Sequence, residues 1–166
     1  MGAGRYSGER PWRRTRRVIT GPAPASGADW LVTVPSGKLW RLVGLTATLV
    51  TAVAAANRSP RLVVTDGKTT TLILPPVAVQ AASLTGAFTW AAHVDSYATA
   101  PDQVIALPDL TLQAGWTIAV STTAIQAADQ WSIQALLVIE TTVKGGDVDF
   151  GELPDMMVEL VGTPAT

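Results

Sequence analysis

His93 is the single histidine of a 166-residue chain that contains no cysteine. A nucleophile–base pair would therefore have to be built from a hydroxyl side chain, His93 and an aspartate. His93 follows the alternating run of Phe88, Trp90 and Ala92, at a predicted strand end, where a solitary imidazole is ordinarily a surface hydrogen-bonding group. Asp66, Asp102, Asp109 and Asp129 fall in predicted turns, and an aspartate there hydrogen-bonds its own backbone. A glycosidase would need two such acids held roughly 5 to 9.5 Å apart, and turn formation accounts for all four without that pairing. Asp147, Asp149, Glu152 and Asp155 carry enough oxygens for a calcium ion. They lack the Asp-x-Asp-x-Asp-Gly spacing and the twelfth-position glutamate of a helix–loop–helix site. Gly2-Ala3-Gly4 follows no strand, and no Gly-x-x-x-x-Gly-Lys-Ser/Thr run occurs, so a phosphate-cradling loop is excluded. Without cysteine there are neither disulfides nor thiolate metal sites. The chain reads as a non-enzyme, with no catalytic residue, no cofactor and no metal.

What the sequence does carry is charge at its two ends. Arg5, Arg10, Arg13, Arg14, Arg16 and Arg17 stand against Glu9 alone, and six acids from Glu140 onward stand against Lys144 alone. Between Val18 and Ile139 only eleven charged side chains are spread over 122 residues, and the net charge of −1 conceals the asymmetry. With 15% charged and 48% hydrophobic residues, the chain is poorer in charge than the roughly 25–35% that keeps a small domain dispersed, and its body is poorer still. Such a body is expected to have partners.

The two termini are the candidate contacts. The arm carries Arg5, Arg10, Trp12, Arg13, Arg14, Arg16 and Arg17, suited either to phosphates or, through forked guanidinium groups, to carboxylates. The chain as a whole is not basic, which argues for a protein surface and against nucleic acid. The tail carries Asp147, Asp149, Glu152, Met156 and Met157, an acidic segment with an apolar patch of the kind that docks on a neighbour. Six tryptophans invite a sugar-stacking groove, but five of them open or occupy predicted strands, where core or rim packing is the default.

The elements that must position these groups are strands. Period-two alternation bounded by Gly, Pro and Asp turns recurs from Trp30 to Glu140, giving eight or nine strands with no helical periodicity beyond two turns. In the long strand from Leu39, the pattern places Leu39, Val43, Leu45, Ala47 and Leu49 on one face and Trp40, Leu42, Gly44, Thr46 and Thr48 on the other, with Arg41 at the rim. Asp66-Gly67 predicts a type I′ hairpin. Val77-Ala78-Val79 is a further short run, and Gln80–Leu84 and Ala124–Ala128 are places for a helical turn. The last strand sets Trp131, Ile133, Ala135, Leu137 and Ile139 opposite Ser132, Gln134, Leu136, Val138 and Glu140. The pattern predicts an all-β fold, an antiparallel β-sandwich of jelly-roll-like type. It would comprise an extended basic arm over 1–28, the sandwich over 29–142 and an acidic tail over 143–166. The apolar stretch from Leu42 to Ala56 is too short and too rich in threonine for a membrane span, and no export signal is read because Val18-Ile19-Thr20 runs into Gly21-Pro22-Ala23-Pro24.

The run Val34-Pro35-Ser36-Gly37-Lys38-Leu39-Trp40-Arg41-Leu42, then Asn57-Arg58-Ser59-Pro60-Arg61-Leu62-Val63-Val64-Thr65-Asp66-Gly67, resembles small β-sandwich structural proteins of tailed bacteriophages. Leu107-Pro108-Asp109, Leu112-Gln113-Ala114-Gly115 and Asp129-Gln130-Trp131 extend the resemblance over residues 30 to 140. It implies a virion component of decoration or cement type, bound to major capsid or other virion proteins and forming a symmetric homo-oligomer, foremost a trimer. A neck, tail or baseplate component is the alternative placement, and a carbohydrate- or receptor-binding module the alternative class.

Overall fold

The computed structural model describes residues 12–143. Its strands are β1 (Trp12–Thr20), β2 (Leu31–Thr33), β3 (Lys38–Val50), β4 (Ser59–Thr65), β5 (Thr70–Leu74), β6 (Thr85–Ala92), β7 (Tyr97–Thr99), β8 (Asp102–Leu107), β9 (Leu110–Leu112), β10 (Thr117–Thr123), β11 (Gln130–Trp131) and β12 (Ala135–Val143). They form an eight-stranded sheet, ordered β1-β12-β3-β6-β8-β7 with β9 and β11 also on β3, and a four-stranded sheet ordered β2-β10-β4-β5. No helix occurs among the described residues. The sheets enclose one core of Trp40, Leu45, Leu49, Phe88, Trp90, Trp131, Leu136 and Val138 from the larger sheet and Leu62, Val64, Ile118 and Val120 from the smaller. The expected all-β sandwich is thus present, with one departure from antiparallel pairing: β6 and β8 run parallel.

The period-two reading of β3 fails at one point. Trp40 and Leu42 are buried together with Leu45, Ala47 and Leu49, whereas strict alternation puts them on opposite faces. The cause is a bulge: Gly44 pairs with Leu137 and Leu42 with Val138, leaving Val43 without its own partner. One extra residue shifts the phase, so both halves of the strand turn their large side chains inward. Arg41 points outward instead and meets Asp109 through two hydrogen bonds of 2.7 Å. The final strand is likewise split. Trp131 is buried, Ile133 is 59% exposed, and Leu136 and Val138 face the core, because the ladder breaks between β11 and β12. Across the break the Ser132 amide donates to the Thr48 carbonyl at 2.8 Å and the Thr48 amide to Ser132 Oγ at 2.9 Å.

Three local expectations are corrected. The connection after β4 is not a two-residue type I′ turn: only Gly67 has positive φ, +87°, and Asp66 Oδ1 accepts from the Lys68 and Thr69 amides at 2.8 and 2.7 Å. Those bonds hold the Asp66 carboxyl below its ordinary range. Val77–Val79 forms no strand; Gln103 reaches across, accepting from the Ala78 amide at 2.9 Å and donating to its carbonyl at 2.7 Å. The segments at 80–84 and 124–128 contain Ser83 and Ala124 at φ near +60° (56° and 60°), a left-handed conformation that ends right-handed helix.

The predicted arm is also partly folded. Residues 12–20 are strand β1, paired along their whole length with β12 from Trp12↔Val143 to Thr20↔Ala135. The lack of an apolar stripe misled because an edge strand can be held by its backbone ladder while its side chains stay in water. Arg14 to Val18 are all exposed.

Candidate functional site

The chemistry-bearing side chains gather where β1, β12 and β3 meet. Glu140 lies on the inward face of β12 with its side chain 6% exposed, opposite Thr15 on one side and Trp40 on the other. Its Oε2 accepts from Trp40 Nε1 at 3.1 Å, and its Oε1 accepts from Lys38 Nζ and from an Arg17 guanidinium nitrogen, each at 3.1 Å. Lys38 Nζ also donates to Thr142 Oγ1 at 2.7 Å. Burial pushes the Glu140 carboxyl up, but the bonds from Lys38, Arg17 and Trp40 outweigh that push and hold it below the ordinary glutamate range. Glu140 belongs to the core rim, not to the acidic tail with which its charge grouped it in the sequence.

The cluster fixes β1 in register. Arg17, opposite Val138 on the inward face, reaches Glu140, while Arg14 and Arg16 pair with Thr141 and Ile139 on the other face. Among the described residues Arg14 and Arg16 have no ion-pair partner. Because β1 ends the sheet among the described residues, its outer edge offers backbone groups that no described strand pairs, set between arginines. Like charge disfavours pairing of two such edges, and an acidic extended segment meets complementary charge.

Glu140→Gln is expected to release β1 first. Loss of the anion leaves Lys38 and Trp40 Nε1 with a weaker acceptor, a cost of about 1.5–3 kcal/mol, while the half-exposed Arg17 adds little. The folded pKa of Glu140 lies below its unfolded value, so its stabilisation is complete above about pH 4.3 and fades as pH falls through the folded pKa. Amide exchange should show β1 losing protection before β3 or β6 in the variant, and in the wild type below that pH. Uniform loss across the sheet would refute this latch.

Of the sequence-predicted contacts, Trp12, Arg13, Arg14, Arg16 and Arg17 lie on β1, whereas Arg5, Arg10, Asp147, Asp149, Glu152, Met156 and Met157 fall outside the described residues. His93 is exposed just beyond β6 with φ +61°, as expected of a strand end. Trp30, Trp40, Trp90 and Trp131 are each at most 2% exposed, so these four rings are core, and the partly buried Trp116 packs against it. Among the described residues no group of three His, Cys, Asp or Glu side chains is placed to hold a metal ion, and no helix is long and apolar enough to cross a membrane.

Sequence reasoning missed the strongest polar contact altogether. Arg58 and Asp129, both with side chains 0% exposed, meet through bonds of 2.8 Å from Nε and from a terminal nitrogen. Asp129 also accepts from the Ala52 and Gln126 amides, each at 2.7 Å, and Arg58 donates to the Ala54 carbonyl at 2.9 Å. Gly27 closes on this loop, its amide 2.7 Å from the Asp129 carbonyl; a Cβ there would lie 2.8 Å from Ala127 Cα at φ +74°. The signal was available only as an arginine that ends the uncharged stretch from Leu42 to Asn57.

Fold and site together define a charge-poor β-sandwich with a cationic edge strand. No protein-family model matches the chain, and no curated protein matches it. Among solved structures, a chain of the Nora virus structure is similar at a TM-score of 0.32 and 13% identity, over 92% of this chain and 66% of that one. This chain thus spans just under two thirds of that neighbour's length.

Proposed function

We propose that this protein is a virion structural component, a capsid-associated protein of decoration or cement type in a tailed bacteriophage. It works as a symmetric homo-oligomer whose basic N-terminal strand binds coat subunits, with the acidic tail as a second contact. The observation that carries this reading is β1: a nine-residue edge strand, pinned by Glu140 on one side and presenting on the other Arg14 and Arg16, which are exposed and have no ion-pair partner among the described residues. A place in the neck, tail or baseplate is the alternative within the same class; strand β1, held by a single neighbour, is suited to exchange around a ring.

Removing residues 1–20 would test this poorly, since it strips β12 of its partner strand. Arg14→Glu with Arg16→Glu alters only exposed side chains and should leave the melting temperature nearly unchanged, surface substitutions usually moving stability by about 0.5 kcal/mol or less. Co-sedimentation with assembled coat shells should fall at least tenfold, and wild-type binding should weaken as salt rises. Wild-type protein that ignores coat shells at low salt, or a double variant that binds as well as wild type, would overturn the proposal.

A further inference from the structure

The outward face of the larger sheet is nearly free of charge. Its register lines up Val18, Leu137, Gly44, Ala91 and Ala106 in one row across five strands, and Thr20, Ala135, Thr46, Thr89, Val104 and Tyr97 in the next across six. Val18 is 66% exposed and Tyr97 56%. Side-chain size is distributed unevenly along both rows. In the first, the large members Val18 and Leu137 lie at the β1 end, and Gly44, Ala91 and Ala106 leave the other half low. In the second the order is reversed, with Thr20 and Ala135 at the β1 end and Val104 and Tyr97 at the β7 end. A shallow groove of about 280 Å³ beside Gly44, lined by Ala135 and Thr46 among others, follows from that relief. Charge is confined to the margins. Arg16 stands on β1, Asp102 opens β8, and Asp95 lies two residues before Tyr97, all three exposed. Ser96 Oγ accepts from the Ala106 amide at 2.8 Å, which keeps Asp95 beside the Ala106 row. None of the three has an ion-pair partner among the described residues, whereas Arg41 is neutralised by Asp109.

We propose that this face binds the same face of a second copy, about a two-fold axis that lies in the interface and runs along the strands. The midline of the six strands falls between β3 and β6. Such an axis lays β1 of one copy over β7 of the other, β12 over β8 and β3 over β6. Leu137 then meets the partner's Ala106, Gly44 the partner's Ala91, Ala135 the partner's Val104 and Thr20 the partner's Tyr97. In each pair a larger side chain faces a smaller one, so a contact of a face with its own copy can interdigitate as two packed sheets do. Charge complementarity selects the same axis. It brings the Arg16 margin of each copy to the Asp95 margin of the other, and does so twice. An axis across the strands would instead lay β1 on the partner's β1 and β7 on its β7, joining like margins. Area is sufficient as well. Six strands about 4.8 Å apart, and four rows about 6.7 Å apart from Arg16 to Thr48, give a flat footprint of about 500 Å² per copy. Side-chain relief raises the two copies together to about 1,200 Å², the small end of specific interfaces. Arg14, one row further out, and the outer edge of β1 stay outside the contact. The pairing supplies a subunit contact for the symmetric oligomer proposed above and does not depend on binding to coat shells.

Sedimentation equilibrium of the full chain, with no coat shells present, tests this. The wild type should form a dimer with a dissociation constant on the order of 1–100 µM, as suits an interface of this size. Thr46→Lys changes an exposed side chain at the centre of the face and should weaken the dimer about a hundredfold, because each copy would bury an unpaired ammonium. Ile73→Lys, at a 48% exposed position on the outward side of the smaller sheet, should leave it unchanged. Asp95→Arg should weaken the dimer about tenfold, and adding Arg16→Asp should restore it; a variant that merely folds poorly would not be rescued by a second reversal. A wild type that stays monomeric at about 1 mM, or that forms a trimer, overturns the proposal. So does a dimer that Thr46→Lys leaves intact, or one lost through Ile73→Lys, which would assign the contact to the smaller sheet. Coat-shell binding is read in a separate experiment: its failure leaves this dimer untouched, and absence of the dimer leaves binding through β1 untouched.

Discussion

Replacing Asp129 with alanine is expected to cost about 3–5 kcal/mol, the penalty of stranding one partner of a buried ion pair. For a domain of this size that is a drop in melting temperature of about 10 °C or more. The value should lie at the upper end because Asp129 holds more than Arg58. Its carboxylate also satisfies the Ala52 and Gln126 amides, so two further loop segments lose an anchor, whereas the bond from the Gly27 amide to the Asp129 backbone carbonyl survives the substitution. Many buried pairs can be exchanged for apolar residues at no net loss; here Arg58→Leu with Asp129→Leu should remain destabilised, since the orphaned amides and the Ala54 carbonyl keep their desolvation penalty. Arg58→Lys should fall between, a single ammonium being unable to reproduce the fork. Chemical denaturation of the four proteins checks this, and a double leucine variant as stable as wild type would refute the anchor. Burial pushes the Asp129 carboxyl up, but bonds from Arg58 and the two amides outweigh it and leave it below the ordinary aspartate range. The stabilisation is therefore present above about pH 3.9, the unfolded value, and is lost as pH falls through the folded one.

Trp131→Ala should be about as damaging, about 3–5 kcal/mol, for a different reason. Its ring is 0% exposed and meets Phe88 edge-on at 5.6 Å between centroids, while Phe88 stacks on Trp90 at 6.0 Å. Truncation opens a cavity beside Phe88 on β6 that a rigid sheet cannot close. It also removes the donor to Asp29 Oδ1, 3.2 Å away, although Asp29 keeps the Thr122 amide at 2.8 Å and its hydroxyl. Trp131→Phe should recover about half of the loss. The same substitution separates the two roles weighed for the tryptophans. A sugar-stacking ring could be cut away with little effect on folding, whereas this one should lower the unfolding midpoint sharply. An unchanged midpoint would contradict the core assignment.

How much of this was legible beforehand depends on the range of the cause. Alternation between Trp30 and Glu140 was enough for an all-β sandwich, since side-chain direction in a strand is set by neighbouring residues. Asp66 as a turn residue and His93 as an exposed strand end were readable on the same ground. The rest required partners distant in sequence. Val43 looks like any strand residue until β12 pairs around it, and the resulting bulge is what turns Trp40 and Leu42 into the core. Residues 12–20 show no apolar alternation in sequence to betray a strand; the neighbour supplied by β12 makes them one. Glu140 and Asp129 illustrate the limit best. As letters they were the charged end of a strand and a turn former, and only the approach of Lys38, Arg17 and Trp40 in one case, and of Arg58 in the other, turned them into buried anchors. The amino-acid order by itself determined the class of fold, the poverty of charge in its body and the opposite signs of its ends. Tertiary structure alone decided which charges are buried, because burying an ion depends on counter-groups brought from more than fifty residues away, a distance over which periodicity carries no information.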